Sequence, residues 1–518
     1  MSDTEIGTCA IVLHTHLPWV AHAGTWPVGE EWLHQAWSSS YIPLVSMLNE
    51  LAAEGRRDLL TIGVTPVLAA MLDDPYLLRE QHTWLGNWQT RAVALGASGR
   101  FPDVAAEEHR RATKALESFE RDWSHGASPV LRSLGASGVV ELLGGPATHP
   151  FQPLLVDDAL VRAQLQVGLD DHTLRLGSRP RGIWAPECGY RPGLETTYAE
   201  SGVGHFLVDG PTLLGGKLSE SGPSAPLPTG AAWTVGDSDV VAFGRDLDVT
   251  YRVWSPRSGY PGGASYRDFH HFDHDTGIRP YRVTGSRTAD HEKKPYDAAR
   301  AAASVEADAA DFVDTVRRRL GQVAAAHGRP GLVVVAYDTE LFGHWWLEGP
   351  QWLAAVLRLL PEAGVRLSTL RGAVDAGHVA GAAALRPGSW GSGKDWRVWE
   401  GAAVADLVEQ SRDAQRRVLD VVSKAVREHP GQRSDALDQL VRELFLLTSS
   451  DWAFMVTKDS AAAYARSRHA AHLARLTELA DVVSAGRNAA ADRVAARLRE
   501  VDGPFGHLDA RVLGDWRR

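Results

Sequence analysis

Seven short apolar runs, many of their residues β-branched, recur along the first two thirds of the chain. They are AIVLHTH (10–16), LLTIGVTP (59–66), GVVELLGG (138–145), GIWAPE (182–187), HFLVDG (205–210), VVAFGRD (240–246) and LVVVAYDTE (332–340). Runs this continuous read as strands buried on both faces, which is the signature of a parallel sheet covered on both sides. Several are separated by stretches with helical spacing, such as LVRAQLQVGLDDHTLRLG (160–177). Strands alternating with helices predict an α/β fold, and seven such units predict an incomplete (β/α)7 barrel.

Three segments break the alternation. Residues 76–130 are rich in Trp, Arg and Glu at helical spacing and predict a helical insertion between the second and third strands. Residues 213–236 are a Gly/Pro/Ser loop, and residues 254–281 are a long polar loop dense in aromatics and His. A loop of that length on a barrel is usually functional, so 254–281 is expected to act as a lid. From about 400 the pattern turns helical: Val404, Leu407, Val408, Val418, Val421 and Val422 keep one spacing, and Leu437, Leu440, Val441 and Leu444 another. The expected division is a catalytic barrel at 1–399 and an all-helical C-terminal domain at 400–518 that contributes to the substrate cleft.

Composition narrows the function. A chain of 518 residues exceeds one compact domain. Its net charge of −10 argues against nucleic acid and anionic membrane as partners. No run approaches a membrane span, and MSDTEIGTCAIVLH has neither the basic start nor the apolar stretch of a secretory leader. Cys9 and Cys188 are the only cysteines, which fits a reducing compartment and a cytoplasmic location. There are 18 Trp and 21 His, and many of the Trp lie in Gly/Pro-rich polar segments. An indole offers a flat apolar face and one N–H donor, which suits a ring-shaped polar ligand such as a sugar. The remainder fill cores.

The C-terminal ends of the predicted strands carry His14, His16, Glu187, Asp209, Arg245, Asp246, Asp338 and Glu340. A parallel barrel places its active site at that face. Acids after a long apolar run are costly to bury unless paired or used. Glu187 and Asp338 on separate strands, with Trp and His around them, fit glycoside cleavage. One carboxylate attacks the anomeric carbon or activates water, and the other protonates the leaving oxygen. His149 follows a Gly pair, His344 follows Glu340, Trp390 and Trp399 crowd a Gly-rich loop, and Asp451 precedes Trp452. The aromatics near 390–399 and 452 fit a sugar-binding edge or a docking surface between domains. A metal-dependent hydrolase or deacetylase, with His14, His16, His149 and Asp338 as ligands, is the competing enzyme reading. A non-catalytic glucan-binding protein is the third. Because side chains alternate along a strand, Cys188 is expected to turn away from Glu187 and pack between barrel and helices.

Five segments taken in order, HTHLP, GGPATHPFQP, GIWAPECGY, AYDTELFGHWW and LTSSDWAF, resemble the motifs of glycoside hydrolase family 57. FGRD…VWSPRSGYPG (243–263) is most similar to the family's 1,4-α-glucan branching enzymes, actinobacterial ones above all. The family also holds 4-α-glucanotransferases and α-amylases. The resemblance implies Glu187 as nucleophile and Asp338 as general acid/base. It implies that His14, His16, His149, Glu340 and Asp451 line the reacting sugar, and that Trp254, Trp390 and Trp399 shape its subsites. Arg245 and His344 join the expected substrate-binding set. The implied partner is an α-1,4-glucan such as amylose, glycogen or a specialised actinobacterial α-glucan, and no metal or organic cofactor is implied.

Overall fold

The computed structural model describes residues 6–215, 217–218, 228–255, 258–285 and 287–514. Residues 219–227 of the predicted 213–236 loop, Pro256 and Arg257 of the 254–281 loop, and 515–518 of the C-terminal helical stretch lie outside the described residues.

All seven apolar runs contain strands: β1 (Gly7–Thr15), β2 (Leu60–Val64), β3 (Val140–Leu143), β4 (Gly182–Ile183), β5 (His205–Val208), β6 (Val241–Gly244) and β7 (Gly331–Asp338). Neighbours pair in parallel in the order β7-β1-β2-β3 and β4-β5-β6. The two arcs join where Gly144 N–H donates to Gly182 O and Trp184 N–H to Gly144 O. Between β6 and β7 the wall is held by the Asp246 N–H to Val334 O bond at 2.7 Å, and there the barrel is incomplete. At this gap the sheet runs outward instead. Strand Ala232–Val235 pairs antiparallel with β6, and Val379–Ala384 pairs with Ala232–Val235.

Alternation along each strand builds two cores. Ala10 and Val12 of β1, and Leu332, Val334 and Ala336 of β7, fill the barrel interior with Leu143, Trp184, Leu207 and Phe243. Cys9, Ile11, Leu13, Val333, Val335 and Tyr337 face the surrounding helices. Burial of this kind stabilises by roughly 25 cal/mol per Å² of apolar surface and fixes the strand register.

Helices α1 (Pro75–Ala97) and α2 (Pro102–Ser118) lie between β2 and β3, followed by a π turn (Phe119–Trp123) and the helix Ala127–Ala136. From Ala405 to Arg499 the chain is helical, with five helices packed on one another. None of the described helices is long and apolar enough to cross a membrane. The 213–236 stretch is not wholly loop, since helix Gly210–Leu214 enters it and strand Ala232–Val235 leaves it. The 254–281 segment is not a free lid. Tyr266 is fully buried and donates to Asp308 at 2.6 Å, Arg267 pairs with Glu108 of α2, and Asp273 pairs with Arg100 at 2.6 Å.

Candidate active site

Register brings the first residues together. β1 and β7 align His14 with Asp338, and β1 and β2 align His14 with Gly63. All three stand at the C-terminal end of the barrel on the inward side. A side chain at 63 would crowd Trp184, because its Cβ would lie 3.3 Å from that of Trp184. Glycine therefore leaves room for the Trp184 indole to stack on His14, with ring centroids 4.3 Å apart. His149 stacks in turn on His14 at 4.9 Å and on His16 at 3.8 Å. Neither nitrogen of His14 has a partner among the described residues, and burial holds its imidazole well below the usual range. His149 is held low in the same way.

Glu187 does not sit at the end of a strand. β4 stops at Ile183, and Pro186–Cys188 form a 3₁₀ turn in which Glu187 (φ 59°) and Cys188 (φ 49°) are both left-handed. Two such residues cost about 1–3 kcal/mol each, and strain of that size persists where the surroundings enforce it. Here Cys188 N–H donates to Ala185 O, Gly189 N–H to Pro186 O, and Trp390 N–H to Glu187 O. The Glu187 carboxylate then accepts two side-chain bonds, from Trp390 Nε1 at 2.7 Å and from Ser450 Oγ at 2.8 Å. Ser450 Oγ also lies 3.0 Å from His149 Nδ1. Burial pushes the Glu187 carboxyl up to about 7, and the two donors restrain the rise.

Asp338 closes β7, and its carboxylate accepts no hydrogen bond from the described residues. Burial pushes it up to about 7, opposed by the charges of Arg245 and His16. Glu340 is on the 3₁₀ turn Thr339–Leu341 and not on the strand as expected, and its Oε1 accepts the Tyr41 hydroxyl at 2.5 Å. Burial and the neighbouring Asp338 push Glu340 up to about 8. Burial lowers His16, but Asp451, whose Oδ2 lies 3.0 Å from Nε2, together with the charges of Glu187 and Glu340, more than offsets it, and the net shift is upward.

The remaining expected site residues divide. Arg245 is buried, ion-paired with Asp209 at 2.8 Å and stacked over Trp390 at 5.3 Å, so it acts from beneath the site. Trp254 is partly exposed and lies against Trp345, centroids 6.0 Å apart, forming an open aromatic pair. Trp399 is no open platform: it is 1 % exposed and stacked flat on Phe151 at 4.5 Å. The docking role is the one its geometry fits. His344 lies beside Phe269 and lines a cavity whose walls include neither Glu187 nor Asp338. Cys188 packs inside the barrel with Trp184 and Leu207, not between barrel and helices, because the left-handed turn cancels strand alternation. Burial raises its thiol well above the ordinary value, which leaves it unreactive.

Ser450 and Tyr41 were not singled out from the sequence, although Ser450 lies within LTSSDWAF. Ser450 is hidden beside the more conspicuous Asp451. Tyr41 belongs to a π turn (Trp37–Tyr41) inside an otherwise helical stretch, a distortion that often marks function.

The proposed metal set of His14, His16, His149 and Asp338 does not assemble. Among the described residues, ligand atoms of His16, His149 and Asp451 approach within 4.8 Å. His16 already directs Nε2 to Asp451 and Nδ1 to Thr65 at 2.9 Å. The donor set therefore fits a metal poorly.

Residues 10–381 match the family model described as glycosyl hydrolase family 57, and residues 410–513 match that described as 1,4-alpha-glucan branching enzyme, C-terminal. The chain is 50% identical to a probable 1,4-alpha-glucan branching enzyme of Mycobacterium tuberculosis, covering 98% of both chains. It is 32% identical to a 1,4-alpha-glucan branching enzyme of Thermococcus kodakarensis, over 96% of this chain and 77% of that one. The crystal structure of that archaeal enzyme, in complex with glucose and additives, superposes with a TM-score of 0.91, covering 98% of this chain and 96% of that one. The α-amylase AmyC of Thermotoga maritima superposes with a TM-score of 0.86 at 28% identity, covering 98% of this chain and 99% of that one.

Proposed function

The chain belongs to glycosyl hydrolase family 57, and from that premise we propose that it is a 1,4-α-glucan branching enzyme. It cleaves an α-1,4 linkage and transfers the freed chain to a 6-hydroxyl, making an α-1,6 branch. One observation carries this reading. The likeness to branching enzymes continues past the barrel through residues 410–513, and that stretch supplies Ser450 and Asp451 to the catalytic cluster.

The hydrogen bonds distribute the roles. Burial raises Glu187 and Asp338 alike, but Glu187 accepts from Trp390 and Ser450 while Asp338 accepts from none of the described residues. Donors favour the ionised form, so near neutral pH the proton resides on Asp338. Asp338 gives that proton to the glycosidic oxygen as Glu187 attacks the anomeric carbon, forming a glycosyl-enzyme ester. Asp338, now a base, takes the proton of an acceptor 6-hydroxyl, and that oxygen displaces Glu187 with net retention. His14, His16, His149, Glu340 and Asp451 surround the reacting ring. Trp254 and Trp345 offer open aromatic faces to the glucan.

Transfer exceeds hydrolysis only where water is kept from the ester and a sugar hydroxyl is positioned. The anchored 254–281 segment and the two open Trp serve that end. The substrate is an α-1,4-glucan, with amylose as the simplest form and glycogen as the natural counterpart. The similarity to an α-amylase supports hydrolysis as the second reading. Incubation with amylose separates the two: α-1,6 linkages counted by proton NMR outnumber new reducing ends for a branching enzyme. Reducing ends without α-1,6 linkages would assign a hydrolase.

A further inference from the structure

A cavity whose lining includes neither Glu187 nor Asp338 opens beside the helical insertion. It is a cleft open to solvent, with a volume of about 70 Å³, between α1, α2, the 267–279 segment and the 343–347 turn. Its polar wall is dominated by Arg91, Arg111, Arg267 and Arg279, with Glu108 and Asp268 as the acids. Both acids are already committed. Glu108 takes Arg111 and Arg267, and Asp268 takes Lys293. Arg91 and Arg279 have no carboxylate partner among the described residues. Arg279 donates only to the Phe269 carbonyl at 2.7 Å, and Arg91 lies over the Trp84 ring at 5.0 Å. Glu31, the nearest other acid, is taken by the Trp84 indole N–H and the Gln35 amide. Arg267 is 93 % buried, and two of its guanidinium nitrogens, Nε and Nη2, have no partner among the described residues, nor has Nε of Arg91. Burial lowers both Arg91 and Arg279, the latter to about 10.

Cations partly withdrawn from water without partners are costly, and stacking on an indole returns only a fraction of the loss. An anion supplied from outside restores the balance. The planar forks of arginine match the oxygens of a phosphate, and the exposed indole of Trp345 at the rim suits a sugar ring. We propose that this cavity binds a phosphate monoester carried on a sugar, with Arg91 and Arg279 as the principal anion contacts. Two sources supply that chemistry: a free sugar phosphate, or a phosphate borne on the glucan itself. Trp345 lines this cavity and also meets Trp254, so a ligand here adjoins the glucan path.

The test reads binding and not turnover, so it stands apart from the branching reading. Calorimetric titration of the full chain compares glucose 6-phosphate with glucose, and phosphate-bearing amylopectin with phosphate-free amylopectin. The expected result is a preference of about ten-fold or more for the phosphorylated member of a pair, lost in an Arg91→Gln/Arg279→Gln variant that still branches plain amylose. Arg91→Lys keeps the charge but not the fork, guards against a folding failure of the double variant, and should lose part of the preference. Preference in the small-molecule arm assigns a free sugar phosphate, and preference in the polymer arm alone assigns a glucan-borne one. No preference in either arm, or a preference that survives in both variants, overturns the site.

Discussion

Glu187 and its neighbour Cys188 present a choice between carboxylate and thiol, and burial and hydrogen bonding favour the carboxylate. The thiol is raised and sealed inside the barrel, while the carboxylate is aimed by Trp390 and Ser450. Glu187→Gln should lower both transfer and hydrolysis by at least ~10³-fold, whereas Cys188→Ala should keep most activity. Both are read from initial rates on amylose, and equal losses would place the chemistry on the wrong neighbour. Ser450→Ala removes one donor from the ionised Glu187. Its acid limb in the pH profile of kcat/KM should move to higher pH, and an unmoved limb would show that the bond does not tune the nucleophile. The parent profile should fall on both sides of about 7, as Glu187 gains a proton below and Asp338 loses one above. Glu340 adds a stability effect. Its folded value near 8 exceeds that of an unfolded Glu near 4.5, so between those values the folded state holds the extra proton. Stability is then highest at low pH within that window and declines as pH rises toward 8. Glu340→Gln should flatten the fall in Tm between pH 5 and 8, and an unchanged slope would contradict this account.

At the scale of elements, the seven barrel strands were legible because each is a nearly continuous apolar run, and the same continuity marked their ends as the place for charges. Strands Ala232–Val235 and Val379–Ala384 were not legible: one is short and embedded in turn residues, and the other, VAGAAA, has Val379 as its single β-former. The turn at Pro186–Cys188 left no trace either, since neither Glu nor Cys signals a left-handed backbone. That one unseen turn accounts for the misplaced Cys188. The 254–281 segment was legible as important, but not as anchored, because its partners Glu108, Arg100 and Asp308 come from α2, from the turn before it and from helix Ala298–His327. Tyr266→Phe removes the bond to Asp308 and should loosen the segment, raising the ratio of new reducing ends to α-1,6 linkages several-fold. A constant ratio would mean that the segment does not guard the ester from water.

At the scale of the molecule, the catalytic cluster is shared between the barrel and the C-terminal helices. Thr148 Oγ1 bonds Phe445 O, Ser450 N–H bonds His149 O, and Trp399 stacks on Phe151 at that seam. Trp399→Ala should therefore destabilise by about 3–5 kcal/mol in chemical denaturation and lower kcat through Ser450 and Asp451. A purely structural docking residue would leave kcat of the folded fraction intact. Chelator treatment should leave branching unchanged, because His16 is committed to Asp451. Activity lost to a chelator and restored by zinc would instead make His16, His149 and Asp451 a metal site. The central claim is the covalent role of Glu187, and trapping tests it most directly. An Asp338→Asn variant is given a maltosyl fluoride slowed by ring fluorination, a donor whose leaving group needs no acid, and its peptides are read by mass spectrometry. The account predicts a maltosyl increment on the peptide containing Glu187, mapped to that side chain. An increment on any other residue, or release of fluoride with no enzyme-bound sugar, would contradict it.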